Sequence, residues 1–333
     1  MLPFTHVVTR SHYLVRPVGP AAYARCQASE PSSEPLVPPN VNMHRHVSDP
    51  LLLPKLNRRA IVMLALVTGL PPSASFASDP PTLSATSSRK PSLRQLTEEE
   101  KEQIDRAFAA TLPKPKAPVM LRLAFHDAGT YDAQTCSGGA NASIRFELDR
   151  PENAGLKRGW NVIEATAQRL KGTDVGSIVS AADLIALAGA YAVKITGGPE
   201  IWPDIGRVDS QGPDPEGRLP LETFSAEEQR FAFAGKGLSV REMVALLGSH
   251  TLGGKGFGDP LTFDNTYYIS LLQKPWEKRD DPMAKMIGLE SDHVLPDDPV
   301  CRPAIEDYAG NQAAFYSDFG EAYLKLSSLG SIN

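Results

Sequence analysis

From residue 97 onward, apolar positions recur at intervals of three and four, the period of a helix with one buried face. Thr97 stands three residues before Glu100 and opens a capping box into "EEEKEQIDRAFAAT". "VMLRLAFHDAG" has helical spacing and stops at Gly129. "WNVIEATAQRL" and "SAADLIALAGAYAVKI" continue the pattern. Ser225 with Glu228 caps a helix ending at Gly235, and Ser239 with Glu242 opens "VREMVALLGSHTLG". "FDNTYYISLLQ" and "NQAAFYSDFGEAYLKLSSLG" complete the series. Period-2 alternation is scarce, no fixed-period repeat stands out, and connections such as "SQGPDPEGRLP" are rich in Gly and Pro. The pattern predicts a mostly α fold.

Upstream the pattern changes. Residues 1–57 are rich in Pro, Arg, Ser and His, and their only acids are Glu30, Glu34 and Asp49. That composition cannot bury a core and suits an organelle transit peptide. Arg58 and Arg59 then precede an apolar run from Ala60 to Leu70, and Ser75 and Ala77 are placed for signal cleavage. A twin-arginine segment, a short apolar run and small residues make an export signal. The expected organisation is a chloroplast transit peptide plus lumenal signal over 1–77, a flexible linker over 78–96, and a folded domain over 97–333. The expected destination is the thylakoid lumen.

The 333-residue chain has a net charge of -5 and no basic, aromatic-studded stretch, which argues against nucleic-acid binding. No apolar run approaches the roughly 20 residues of a membrane-spanning helix. Cys26 lies in the segment expected to be removed; Cys136 and Cys301 are left either to pair or to remain free thiols.

Candidate chemistry sits on two of the apolar segments. In "LRLAFHDAG", Arg122 and His126 are four apart and share one helix face. In "VALLGSHTLGG", His250 lies near the end of another apolar helix. A lone histidine there is usually a core residue with a backbone partner. Two histidines on buried faces, one beside an arginine, form the set that haem peroxidase chemistry needs. One histidine holds the iron, a second moves the peroxide proton, and a fixed cation stabilises the charge on the departing oxygen.

"APVMLRLAFHDA" resembles the distal active-site motif of plant-type haem peroxidases, and "EMVALLGSHTLG" resembles their proximal haem-ligand motif. The likeness continues through "SAADLIALAGAYAVKITGGPEI", "GRVDSQGPDPEGRLP", "FDNTYY" and "SDHVLPDDPVCRPAIEDYA", over residues 97–329. It is nearest to the ascorbate peroxidase branch and, with the double targeting signal, to lumenal members of it. The resemblance implies about ten helices with a haem b pocket between a distal and a proximal half. It implies that Arg122 and His126 are the distal arginine and acid–base histidine, and that Asn153 holds the other ring nitrogen of His126. Phe125 falls where ascorbate peroxidases have tryptophan. His250 matches the iron ligand and Asp292 the carboxylate accepting its N–H. Asp183 and Arg207 match a structural ion pair.

The pattern also breaks. After "SHTLG" the link to "FDN" is only "GKGFGDPLT", shorter than in ascorbate peroxidases. The missing piece carries an ascorbate-binding arginine and a tryptophan that stacks beside the proximal histidine and bonds the same aspartate. Lys114 matches the lysine of the ascorbate site, but Lys116 replaces its cysteine. Thr251 and Asp264 remain from a monovalent-cation site that has lost its middle ligands, and Asp127 resembles a calcium ligand of secretory peroxidases. Two functions fit these losses. One is a peroxidase reducing hydrogen peroxide with a small non-ascorbate donor, in reactive-oxygen detoxification under oxidative stress. The other is a non-catalytic lumenal scaffold with weak or no haem binding, docked at a photosystem or other thylakoid-membrane protein.

Overall fold

The computed structural model describes residues 92–278 and 282–331. The targeting segment expected over 1–77 lies outside the described residues. Ten α-helices and eight short 3-10 turns make up the described residues, with no β-strand among them. Two isolated bridges, Arg94 with Ile205 and Asp132 with Ser137, are the only β pairing there.

The helices are α1 (Glu98–Thr111), α2 (Ala117–Ala128), α3 (Lys157–Leu170), α4 (Ala181–Ile195) and α5 (Ala226–Ala234). They continue as α6 (Val240–Leu247), α7 (Thr266–Gln273), α8 (Glu290–His293), α9 (Arg302–Gly310) and α10 (Gln312–Ser327). The capping boxes at Thr97, Ser225 and Ser239 form as expected, and a fourth joins Ser180 to Asp183. Each satisfies backbone N–H groups that a helix start otherwise leaves open. The short α8 and α9 carry no long apolar period of their own; packing rather than pattern produces them.

Folded contacts begin before Thr97. Arg94 and Ile205 exchange backbone hydrogen bonds at 2.8 Å, and Leu96 is buried. The last residues of the stretch expected as linker are therefore part of the domain.

α4 is apolar on all sides and is buried almost throughout, as such a helix must be. It packs against α2 and α3, while α6 packs on α10 and α7 on α9. α10 also reaches α2, tying the distal helices to the proximal ones. Gly189 permits the closest approach: a Cβ there would stand 2.0 Å from the Tyr323 hydroxyl and 2.9 Å from Ala124 Cβ. Asp183 and Arg207 form a fully buried ion pair at 2.9 Å. Asp183 also accepts from the backbone N–H of Gly206 and Arg207, and Arg207 Nε donates to the carbonyl of Ser327. The pair is thus hydrogen-bonded on both sides, the condition for burying charge in a core.

Candidate active site

The distal half is built on α2. Its i,i+4 spacing brings Arg122 Nε to 3.2 Å from His126 Nε2. The 3-10 turn Pro151–Asn153 faces them. Asn153 is buried, and its Nδ2 donates to the carbonyl of Glu147 at 2.9 Å, so its Oδ1 is left to face His126 Nδ1 at 2.8 Å. His126 Nδ1 therefore carries the hydrogen and Nε2 keeps its lone pair. Arg122 grips the same turn through the carbonyls of Glu152 and Ala154, at 2.6 and 2.8 Å. Burial drives the His126 imidazole down to a pKa of about 4, and the neighbouring Arg122 charge adds to it against the Asn153 bond. A neutral imidazole is the form that accepts a proton. Phe125 stacks on Phe233 at 6.0 Å and meets the His126 ring edge-on at 6.1 Å.

His250 is not on the α-helix that the sequence pattern extends to it. α6 ends at Leu247, and His250 lies in the 3-10 turn Gly248–Thr251. The tightening occurs where Gly248 presses on the aromatic core: a Cβ there would be 2.3 Å from the Tyr268 hydroxyl and 2.6 Å from the Phe315 ring. His250 Nδ1 lies 2.8 Å from Asp292 Oδ1. Asp292 is fully buried, and its Oδ2 accepts from the backbone N–H of Leu289. Burial disfavours both charges, yet each holds the other: the His250 imidazole is raised and the Asp292 carboxyl lowered from their ordinary values. The Asp292 bond fixes the tautomer, leaving the Nε2 lone pair of His250 as the available ligand.

Both halves line one cavity of about 450 Å³. Arg122, Phe125 and His126 face it from the distal side, and His250, Leu246, Leu247 and Leu252 from the proximal side. The donor set fits a haem: one imidazole offers a lone pair from one wall, and a base with a fixed cation occupies the other, between apolar surfaces. The shortened link lies along the cavity on the proximal side. It folds on itself through Gly253 N–H to the carbonyl of Pro260, and Gly288 N–H bonds the carbonyl of Lys255. Phe257 is buried inside it, while Leu252 and Lys255 line the cavity.

Sequence reasoning missed what replaces the lost tryptophan. The Tyr267 hydroxyl donates to Asp292 Oδ1 at 2.9 Å, its ring meets His250 edge-on at 5.8 Å, and Phe257 packs edge-on against it at 4.9 Å. Tyr267 stands in "FDNTYY", but nothing in that string reveals which tyrosine turns toward a residue 25 positions away. Charged Arg158, Glu222 and Lys255 on the cavity lining were likewise hidden.

The other candidate residues have partners within the chain. Thr251 Oγ1 donates to Asp264 Oδ1 at 3.0 Å, and the same oxygen takes the N–H of Thr266 at 2.9 Å. These two residues act as a tie between the His250 turn and the start of α7. Both Asp127 oxygens accept backbone N–H groups, from Ala142 and Ile144. Among the described residues no group of three His, Cys, Asp or Glu is placed to hold a metal ion. Cys301 is a buried free thiol, so the Cys136–Cys301 bridge does not form.

Residues 100–311 match the family described as peroxidase, more than half of the chain. The chain belongs to the peroxidase family. Its relatives place it in the ascorbate-peroxidase branch of the plant haem peroxidases. It is 49% identical over 218 residues to a putative L-ascorbate peroxidase 6 of Arabidopsis thaliana, covering 66% of this chain and 65% of that relative. It is 40% identical over 226 residues to the cytosolic L-ascorbate peroxidase 2 of Arabidopsis thaliana, covering 64% and 85%. Against a probable peroxisomal L-ascorbate peroxidase 3 of Oryza sativa subsp. japonica it is 42% identical over 229 residues, covering 65% and 74%.

Proposed function

We propose that this chain is a haem peroxidase that reduces hydrogen peroxide with a small donor other than ascorbate. The observation that carries the proposal is that Arg122–His126 and His250–Asp292 face each other across one cavity. Haem b bound there would supply the iron at which the peroxide O–O bond is cleaved. His250 would hold the iron through Nε2, made more basic by the Nδ1–H bond to Asp292. His126 Nε2 takes the proton from peroxide and returns it to the departing oxygen, while Asn153 holds the ring at Nδ1. The Arg122 guanidinium stabilises the negative charge on that oxygen. Phe125 and Phe233 make an apolar part of the cavity lining beside them.

The donor site has changed. Lys114 remains, and its charge acts on Asp259 of the short link. The carboxyl of Asp259 is lowered first by the Leu261 N–H and the Thr262 hydroxyl, then by the Lys114 charge. The short link lacks the ascorbate-binding arginine of the branch, and Lys116 supplies no thiol. The protein acts, in this proposal, in the thylakoid lumen of the chloroplast as part of oxidative-stress defence. The leader composition of residues 1–77 supports that location.

The test is haemin titration of the haem-free chain, followed by stopped-flow mixing with peroxide. One haem is taken up with a Soret band that His250→Ala loses, and a phenolic donor turns over faster than ascorbate. Failure of stoichiometric uptake refutes the enzyme and leaves the scaffold function.

A further inference from the structure

Asp292 Oδ1 carries two donors at once. His250 Nδ1 approaches at 2.8 Å and the Tyr267 hydroxyl at 2.9 Å, while Oδ2 is taken by Leu289 N–H. A hydrogen bond to a carboxylate draws negative charge onto itself, so two donors on one oxygen each receive less of it. We propose that Tyr267 is a positioning residue that sets the donor strength of His250 by sharing Oδ1 of Asp292. The inference rests on the peroxidase reading only for its effect on iron; the sharing itself is a property of the chain.

The surroundings make the sharing permanent. Tyr267 is wholly buried, and among the described residues no other side chain competes for its hydroxyl. Its position is fixed from both ends. The Thr251–Asp264–Thr266 tie locks the first turn of α7 to the His250 turn, and Phe257 of the short link packs edge-on against the ring. The hydroxyl, set against a carboxylate oxygen that can only accept, is the donor of that bond. The consequence has a sign. With the Tyr267 proton removed, Oδ1 pulls harder on His250 Nδ1–H, the imidazole gains imidazolate character, and ferric iron is favoured over ferrous.

Tyr267→Phe tests this in the full protein, because the ring contacts with His250 and Phe257 survive and only the hydroxyl is lost. In the haem-free protein the His250 Nδ1 proton resonance moves downfield. In the haem-loaded protein the Fe–His stretch rises and the reduction equilibrium shifts roughly tenfold toward ferric, about 59 mV for one electron. Fluorotyrosine at position 267, a stronger donor of the same shape, moves all three readouts the opposite way and serves even where the phenylalanine variant folds poorly. Tyr323→Phe is the packing control: it removes a buried phenol hydroxyl bonded to the Ala186 carbonyl rather than to Asp292, so it lowers thermal stability and leaves the potential in place. An unmoved His250 proton in either Tyr267 variant overturns the inference, as does an equal potential shift in Tyr323→Phe. A moved proton in a chain that takes up no haem upholds the sharing and removes only the peroxidase reading.

Discussion

Lowering the pH provides a direct measure of the distal site, because His126 is its titrating base. Burial, aided by the Arg122 charge, brings its pKa from 6.5 to about 4. At about 1.4 kcal/mol per unit, that displacement is worth up to about 3 kcal/mol of folding free energy. The sign follows from proton uptake. The unfolded chain binds a proton at His126 near 6.5 and the folded chain only near 4. The contribution is therefore complete above 6.5 and is lost as the pH falls through 4. Urea unfolding of the haem-free protein at pH values from 7.5 to 4, compared with His126→Gln, isolates the effect. Asp127, whose carboxyl burial raises to about 7, titrates in both proteins and cancels. The wild type loses about 2–3 kcal/mol more than the variant across this range. Ring-proton NMR of His126 in the folded state gives a midpoint near 4. Parallel stability curves with a ring midpoint near 6.5 would show that the imidazole is not desolvated, and would refute the reasoning.

Three further outcomes test other parts of the site and fold. Asn153→Ala leaves His126 Nδ1–H and the Glu147 carbonyl without their partner; reaction of the haem-loaded protein with peroxide, followed by stopped-flow absorbance, slows on the order of 10- to 100-fold. Asp183→Ala strands the Arg207 charge in the core and costs about 3–5 kcal/mol in urea denaturation; a loss under 1 kcal/mol would mean the pair is hydrated. Burial, with Asp298 adding to it, pushes the Cys301 thiol up to about 12, so mass spectrometry after iodoacetamide treatment at pH 8 finds it unmodified until the protein unfolds.

What was legible in the sequence is what depends on near neighbours along the chain. The capping boxes at Thr97, Ser225 and Ser239 bond residues three apart, and Arg122 and His126 meet because four residues make one helical turn. Side-chain order and type alone place such contacts, since helix geometry supplies the distance. The resemblance extended that reading to Asn153, His250 and Asp292, whose partners lie 27 and 42 residues away and are joined by no local rule. Tertiary packing decided the rest. Gly248 against Tyr268 and Phe315 turned the His250 segment from α-helix to a 3-10 turn. The short link, read in sequence as the loss of a tryptophan on the proximal aspartate, buried Phe257 against Tyr267, whose hydroxyl bonds Asp292. Thr251 and Asp264, read as remnants of a cation site, bond each other and anchor that tyrosine's helix. Each of these outcomes depends on which surfaces meet when helices distant in sequence bury their apolar faces together. That choice is made by the whole core and is written in no single segment.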